Sequence, residues 1–193
     1  MDDKNKLTPI DQNNLVKKLN TTFEISDKLL DENDRKLVKE VFIKKPNLLV
    51  DLISDYYPLS NEFIEIYKDK LVWGDQYKKG LSTNENLLWS VEFIEKYKES
   101  LYWGDLYGLG LSRSYNLPWS VEFIEHFKEN WHWLKLSRNE NLPWSESLIE
   151  KLKENWNWNS LSSNKKLPWS IKLIERYYDK WDWKELSKNK NIP

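Results

Sequence analysis

The chain has 193 residues, of which 39% are hydrophobic and 15% aromatic, so it can bury a substantial core and does not have the composition of a disordered protein. Its 30 basic and 31 acidic residues leave a net charge of -1, which excludes a long-range electrostatic attraction to DNA, RNA or an anionic membrane. Cysteine is absent, which excludes disulfide and thiol chemistry.

Residues 1–57 are predicted to form an N-terminal helical capping segment. Thr8 and Pro9 have the pattern of an N-cap and a first helical residue, a second helix is predicted from about Asp34, and a third after Pro46. The first residues lack the apolar run of a signal peptide, and no stretch approaches the roughly 20 apolar residues of a membrane helix. We therefore expect a cytoplasmic protein.

From residue 58 onward the chain repeats one phrase five times. In each copy an apolar anchor precedes a serine, a tryptophan follows fourteen residues after the anchor, and a Leu-Ser pair comes next. The anchors are spaced by 30, 30, 25 and 25 residues, at Leu59, Trp89, Trp119, Trp144 and Trp169. Copies one to five span about residues 58–87, 88–117, 118–142, 143–167 and 168–193.

Each copy is predicted to begin with a helix. The serine is a preferred N-cap, and the isoleucine five residues after the anchor has the spacing of a hydrophobic staple. A helical wheel places one apolar stripe on each helix, which in copy one comprises Phe63, Ile64, Tyr67 and Leu71. In copy four the stripe comprises Leu148, Ile149, Leu152 and Trp156. We expect these stripes to be buried.

A second, shorter helix is predicted in the last copy. Asp182 and Glu185 bracket Trp183 with the spacing of a helix cap, and Leu186 follows on the same helix. A unit of about 25 residues cannot bury its apolar face alone, so such units are stable only when they stack on one another. The sequence therefore predicts an all-α fold, an α/α solenoid of short tryptophan-rich helical repeats.

A leucine-rich-repeat-like horseshoe is the alternative fold, because the L-S-x-N phrase and a 25-residue period are typical of that class. A strand there needs an apolar residue two positions before the leucine. Three of the five copies have a polar residue at that position, where the residues are Lys79, Leu109, Leu134, Asn159 and Lys184. This alternative is therefore second to the solenoid.

The phrase LSxNxxLPWSxxxIExxxxxWDWxxLS resembles the tryptophan-repeat protein families of some bacteria and of large DNA viruses such as entomopoxviruses. The resemblance covers about residues 58 to 193. It implies a repeat architecture but no activity, and it assigns no functional residues. Five-residue insertions in the first two copies depart from the compact unit.

The twelve tryptophans all occupy repeat positions. Two of the three positions accept leucine in early copies, at Leu59, Leu71 and Leu101, and leucine fills a core but cannot stack on a sugar or a base. The third position is tryptophan in every copy, which indicates an obligatory partner for the indole N–H. The tryptophans are therefore predicted to be core residues rather than a binding platform.

One glutamate recurs on the helix face opposite the apolar stripe. It is expected to bond to the neighbouring copy or, alternatively, to form an acidic ladder along an exposed surface. We call this set the glutamate ladder; it comprises Glu65, Glu95, Glu125, Glu150 and Glu175.

The first two copies carry insertions, GDQYKKG at 74–80 and GDLYGLG at 104–110, which contain all five glycines of the chain. If adjacent copies stack, the two inserts lie side by side. They are predicted to form a binding ridge with Asp75, Tyr77, Asp105 and Tyr107.

No motif of an enzyme is present. The two histidines, His126 and His132, lack metal-ligand spacing, and Asp75 with Asp105 would be an exposed carboxylate pair of a common kind. The sequence predicts a non-enzymatic scaffold without a cofactor that binds another protein through the inserts or the glutamate ladder. The alternative is a carbohydrate- or nucleic-acid-binding module with exposed aromatics. Self-association is expected if the last copy, which lacks a cap, leaves its apolar face uncovered.

Overall fold

The computed structural model of the protein describes residues 44–106 and 109–193. Within these ranges every regular element is helical and no strand is present, which confirms the predicted all-α class. The leucine-rich-repeat alternative is wrong for these residues, because the Leu-Ser pairs that would form its strands lie in helical turns. The helices predicted near Thr8 and Asp34 lie outside the described residues. No helix in the described ranges is both long and apolar enough to cross a lipid bilayer.

The helix predicted after Pro46 is confirmed and spans Pro46–Tyr56. The first helix of every copy is also confirmed, and each begins after the predicted serine. That serine's side chain accepts a hydrogen bond from the amide three residues later, so it is an N-cap in all five copies. The five helices span Asn61–Tyr67, Val91–Tyr97, Val121–His126, Glu146–Lys151 and Ile171–Arg176.

These helices are shorter than the apolar stripe predicts. The helix of copy four ends at Lys151, although Leu152 and Trp156 beyond it are still buried. In copy three, the indole Nε1 of Trp131 donates to the carbonyl of Ile124 at 2.9 Å. The last carbonyls of a helix have no partner within the helix. The indole thus supplies the hydrogen bond that a further helical turn would otherwise provide.

The invariant tryptophan makes a similar bond. In copies one to four its Nε1 donates to the carbonyl five residues earlier, at 2.9 to 3.2 Å. The acceptors are the backbone oxygens of Lys68, Lys98, Lys128 and Lys153. The two positions that accept leucine also make indole bonds where they are tryptophan, for example from Trp119 Nε1 to the carbonyl of Ser114 at 3.1 Å. The hydrogen bond alone therefore does not explain why the third position is tryptophan in every copy.

The second element of each copy contains the leucine of the Leu-Ser pair and, in copies one to four, the serine as well. Copies one and two have 3-10 turns at Leu81–Thr83 and Leu111–Arg113, and copies three to five have helices at Trp133–Arg138, Trp158–Ser163 and Trp183–Leu186. Asp182 caps the last of these as predicted, since its side chain accepts from the amide of Glu185. The leucine of every pair is buried.

Successive copies are in contact through these second elements. The helix at Trp158–Ser163 contacts both Trp133–Arg138 and Trp183–Leu186, and the turn Leu111–Arg113 contacts Trp133–Arg138. The N-terminal helix Pro46–Tyr56 contacts the turn of copy one. The second elements of copies two to five therefore adjoin one another in the order of the chain.

A ladder of serine hydroxyls joins the copies. The Oγ of the Leu-Ser serine accepts a hydrogen bond from a backbone N–H of the following copy. The donor is the residue directly before the invariant tryptophan. In the last two copies, Ser162 Oγ accepts from the amide of Asp182 at 2.9 Å. Ser54 in the N-terminal helix makes the same bond to the amide of Val72. The N-terminal helix thus presents to copy one the contact that each copy presents to the next.

A second ladder is formed by the asparagine of the L-S-x-N phrase. Asn164 Nδ2 donates to the carbonyls of Ser137 and Asn139 in the preceding copy, and Asn189 Nδ2 donates to the carbonyls of Ser162 and Asn164. Buried backbone carbonyls need hydrogen-bond donors. The amide side chain supplies them across the boundary between copies.

Trp131 and Trp156 provide a matched test of the indole bond. Both are 4% exposed and occupy the same position in adjacent copies, but among the described residues Trp156 Nε1 has no hydrogen-bond partner, whereas Trp131 Nε1 donates to Ile124. The test replaces each of these two tryptophans by leucine, the residue that copies one and two have at this position. We expect Trp131→Leu to lower the free energy of unfolding by about 1 kcal/mol more than Trp156→Leu, measured by urea unfolding followed by circular dichroism. Equal losses would show that the indole bond contributes nothing.

Candidate interaction surface

The two inserts are closed loops that leave the surrounding contacts unchanged. In the compact copy three, the amide of Leu136 donates to the carbonyl of His132 four residues earlier, at 3.0 Å. In copy one the equivalent amide, of Leu81, donates to the carbonyl of Val72 nine residues earlier, at 2.8 Å. The five extra residues are therefore looped out while the same backbone bond is kept.

Glycines close the neck of the first loop. Gly74 has a φ of +98°, in the left-handed region that side chains rarely adopt. A Cβ atom on Gly80 would lie 2.3 Å from the carbonyl oxygen of Val72. The two ends of the loop can meet only because these positions lack side chains.

The first insert is held in a defined conformation. Asp75 Oδ1 accepts from the amides of Tyr77 and Lys78 at 2.7 and 2.9 Å, so this predicted site residue organises its own loop. Lys78 forms an ion pair with Asp51 at 2.6 Å, which ties the loop to the N-terminal helix. The side chain of Tyr77 remains 86% exposed. The loop thus presents an aromatic ring to solvent from a hydrogen-bonded backbone.

The second insert presents an apolar side chain, Leu106, which is 64% exposed. Asp105 is described, but Tyr107 lies outside the described residues. Burial raises the pKa of Tyr102 to about 12, and the carboxylates of Asp105 and Asp75 add to this shift. Because Asp75 belongs to the first insert and Tyr102 to the neck of the second, the two loops are near neighbours. We call Tyr77, Leu106 and the loops that carry them the insert surface.

Sequence reasoning missed Leu106. The residue occupies the position of Gln76 in the first insert, and the difference between the two loops was the available signal. The basic residue Lys79 was also missed; its Nζ lies 3.3 Å from the hydroxyl of Tyr56. The insert surface therefore borders the N-terminal helix as well as copies one and two.

The glutamate ladder bonds across the copies. Four of its five carboxylates contact a side chain of the following copy, which confirms the predicted bond to the neighbouring copy in those four. The basic residues among these partners, Lys96, His126 and Lys151, each occupy the position directly after the ladder glutamate of their own copy. The partners are Lys96 and Tyr97 for Glu65, His126 for Glu95, Lys151 for Glu125, and Tyr177 for Glu150.

These contacts stabilise the charged form of the carboxylates. Hydrogen bonds from Lys96, Tyr97 and Lys68 lower the pKa of Glu65 to about 2. The pKa of Glu95 is lowered by Lys98 and then by His126. Four of the five ladder carboxylates are therefore already engaged by basic side chains or hydroxyls of the protein itself.

The ladder predicts an acid-dependent stability. The folded pKa of Glu65 lies below its ordinary value of 4.5, so its contribution to stability is present above that value and is lost as the pH falls toward about 2. The unaltered protein should lose free energy of unfolding as the pH falls from about 5 to about 2. We expect this loss to be smaller in Glu65→Gln, which lacks the titrating carboxylate. Thermal unfolding across this range measures the effect. Glu129→Gln, at an exposed glutamate outside the ladder, serves as the control and is expected to leave the profile unchanged.

The tryptophans do not form an exposed row. Trp183 is the one exposed tryptophan, at 47%, and the other eleven are buried or half-buried. The rings pack on one another and on neighbouring aromatics; for example, the Trp158 and Trp181 centroids are 4.9 Å apart at 76°. Eleven of the twelve indoles therefore belong to the packed interior or its margin.

The described residues offer no metal centre. Within them, no group of three or more histidine, aspartate and glutamate side chains is arranged to hold a metal ion. His126 Nε2 lies 2.9 Å from Glu95 as part of the ladder, and the amide of His132 donates to Ser112 Oγ in the serine ladder. Both histidines thus have structural neighbours that account for their positions.

Comparison with protein families, with characterised proteins and with solved structures finds no match to this chain.

Proposed function

We propose that this chain is a non-enzymatic repeat scaffold that binds another protein through the insert surface. In this proposal the five copies form an α/α solenoid. The serine and asparagine ladders support it, because the same bonds recur from one copy to the next. A stack held by recurring contacts can carry loops on one side without changing its core.

The exposure of Tyr77 and Leu106 on neighbouring closed loops carries this proposal. Tyrosine is enriched at protein interfaces because its ring buries a large area while its hydroxyl stays hydrated. Asp75 and the glycine neck fix the first loop before any partner arrives, which reduces the entropy lost on binding. A rigid apolar tip flanked by charged side chains is the usual anatomy of a binding site for a protein.

The glutamate ladder is the less favoured contact surface. Its carboxylates at Glu65, Glu95, Glu125 and Glu150 accept hydrogen bonds from neighbouring copies. A partner would have to displace these bonds before it could use the charges. The ladder is better explained as a set of contacts between copies.

A carbohydrate- or nucleic-acid-binding module is the alternative of a different class. It requires exposed aromatic platforms, and eleven of the twelve tryptophans are covered at least in part. A glycan array and an oligonucleotide mobility-shift assay test this alternative directly. Binding in either assay that is lost on Tyr77→Ala would replace the proposed protein partner by a sugar or a nucleic acid.

Site-specific photo-crosslinking tests the proposal. A photoreactive phenylalanine is placed at Tyr77 in the full chain, and a control chain carries it at Leu88, whose side chain is 90% exposed but lies outside the inserts. We expect a discrete crosslinked protein from position 77 but not from position 88. Excess unaltered chain should compete it away.

The identified protein is then purified and titrated. We expect Tyr77→Ala and Leu106→Ala each to weaken binding about tenfold or more, as for central interface residues, and Leu88→Ala to leave it unchanged. Crosslinking of the same protein from both positions, or an unchanged dissociation constant in both insert variants, would refute the insert surface as the binding site. Membership of a tryptophan-repeat family stays a prediction, as does a cytoplasmic location.

A further inference from the structure

Three basic side chains lie together at the boundary between copies two and three. Arg113 and Arg138 occupy the same position of the repeated phrase in these adjacent copies. Asn139, which directly follows Arg138, donates from Nδ2 to the two carbonyls that flank Arg113, at 3.3 and 2.8 Å. Lys135 precedes Arg138 by three residues in the second helix of copy three, so the two share one helix face. We call Arg113, Lys135 and Arg138 the cationic cluster.

Copies one and five have partners for the same positions within the protein. In copy five, the two helix positions of the cluster hold Glu185 and Lys188, which form an ion pair at 2.7 Å. In copy one, Thr83 occupies the arginine position, and its hydroxyl donates to Asp55 at 2.9 Å. In copy three both helix positions are basic, and the described residues provide neither side chain with a hydrogen bond or an ion pair. Copy three thus has like charges where copy five has an ion pair.

The three cations repel one another. Burial lowers the pKa of the Lys135 ammonium, and the charges of Arg113 and Arg138 lower it further. The carboxylate of Asp105 opposes this shift without cancelling it. Like charges three residues apart on a helix also destabilise that helix. An anion bound beside the cluster would therefore relieve a repulsion that the fold itself maintains.

The cationic cluster borders the second insert. A Cβ atom on Gly104, at the neck of this insert, would lie 3.7 Å from the Cβ atom of His132, the N-cap of the helix that carries Lys135. Asp105, the next residue of the insert, acts electrostatically on Lys135. Leu106, which belongs to the insert surface, directly follows. A protein that covers Leu106 would thus meet the three cations beside it.

We propose that the cationic cluster binds an acidic segment of the partner protein, whose carboxylates contact Arg113, Lys135 and Arg138. This inference rests on the proposed function, because the segment belongs to the protein that binds the insert surface. A guanidinium group holds a carboxylate through two parallel hydrogen bonds, which favours arginine for such a contact. The net charge of -1 confines the attraction to this boundary, so the cluster orients a partner more than it draws one from a distance. Nucleic acids are less favoured, because their binding depends on longer basic tracks.

Fluorescence anisotropy of a labelled oligoglutamate peptide, titrated with the full chain at low ionic strength, tests the proposal. We expect saturable binding, and we expect Lys135→Gln with Arg138→Gln to weaken it about tenfold or more. Lys165→Gln with Lys166→Gln is the matched control, because it removes the same charge from two exposed residues of copy four. This control should bind the peptide as the unaltered chain does.

Thermal unfolding accompanies each titration. Because the cluster is repulsive, Lys135→Gln with Arg138→Gln should unfold at a temperature no lower than that of the unaltered chain. Arg113→Gln, which changes the other copy, should also weaken peptide binding and decides the matter if the double variant fails to fold.

Three outcomes would overturn the proposal: no binding of oligoglutamate, an equal loss in the control, or tighter binding of a phosphoserine peptide or an oligonucleotide at the cluster. The titration needs no partner protein, so its failure removes the acidic segment alone. Absence of a crosslinked protein from position 77 would instead count against the proposed function.

Discussion

Asn164→Asp is expected to lower the free energy of unfolding by about 3–5 kcal/mol at neutral pH. The side chain of Asn164 is 2% exposed, and its Nδ2 donates to the carbonyls of Ser137 and Asn139 at 2.9 and 3.4 Å. The substitution is nearly isosteric but replaces this donor by a charged oxygen. Two buried carbonyls then face a carboxylate oxygen instead of a donor, and burying a charge is costly.

Asn155→Asp is the matched control for this experiment. Asn155 lies in the same copy, and its side chain is exposed, so the identical change of charge takes place in water. We expect a change within about 0.5 kcal/mol, as for most surface substitutions. Chemical unfolding followed by far-ultraviolet circular dichroism measures both variants. Similar losses for the two would show that the asparagine ladder does not hold the copies together.

Ser162→Ala is expected to cost about 2 kcal/mol, whereas Ser160→Ala should be neutral or slightly stabilising. Both serines lie in the helix Trp158–Ser163 and both are 0% exposed. Ser162 Oγ accepts from the amide of Asp182 and donates to the carbonyl of Trp158. Without that hydroxyl, the Asp182 amide of the next copy has lost its acceptor. Among the described residues, Ser160 Oγ has no hydrogen-bond partner to lose.

The comparison of these two serines separates the hydrogen bond from other effects of the substitution. The two variants share the helix, the depth of burial and the atoms removed, so differences in helix propensity and packing are small. Urea unfolding monitored by circular dichroism gives both free energies. A Ser160→Ala variant as unstable as Ser162→Ala would mean that the serine ladder contributes no more than any buried hydroxyl.

Local structure was predictable where the signal is local. The serine N-caps, the helix after Pro46 and the cap at Asp182 follow from side-chain and backbone chemistry within a few residues, and all are present. The burial of the Leu-Ser leucines follows from periodicity, as does that of the helical stripe, which is fully buried in copy four and partly buried at Phe63 and Tyr67 of copy one. The bond from four of the five ladder glutamates to the next copy was likewise predictable, because propensity alone does not select glutamate at that position.

The bonds between copies were not predictable in the same way. The asparagine in L-S-x-N recurs in most copies, but the acceptors of Asn164, at Ser137 and Asn139, lie 27 and 25 residues earlier in the chain. A donor's residue type does not identify a backbone acceptor, since every residue carries a carbonyl. The early end of the helices was missed for a related reason, because the indole of Trp131 takes a carbonyl that the helical wheel leaves to the next turn.

The candidate binding site was predicted in location but not in composition. The inserts interrupt the regular spacing of the copies, and this irregularity indicated where a binding site could lie. Tyr77 is exposed, as a binding residue must be. Asp75 instead serves its own loop, and Leu106 was not singled out. Loop conformation depends on which backbone amides a carboxylate can reach, and residue types alone do not fix this.

The neck of the inserts has a consequence for protein engineering. The amide of the Leu-Ser leucine bonds to a carbonyl four residues earlier in copy three and nine residues earlier in copy one. This hydrogen bond therefore does not depend on how many residues lie between the two groups. Foreign peptides flanked by glycine could therefore be grafted between Trp133 and Leu134, where the unit is compact. A series of such grafts along consecutive copies would display one chosen epitope per copy.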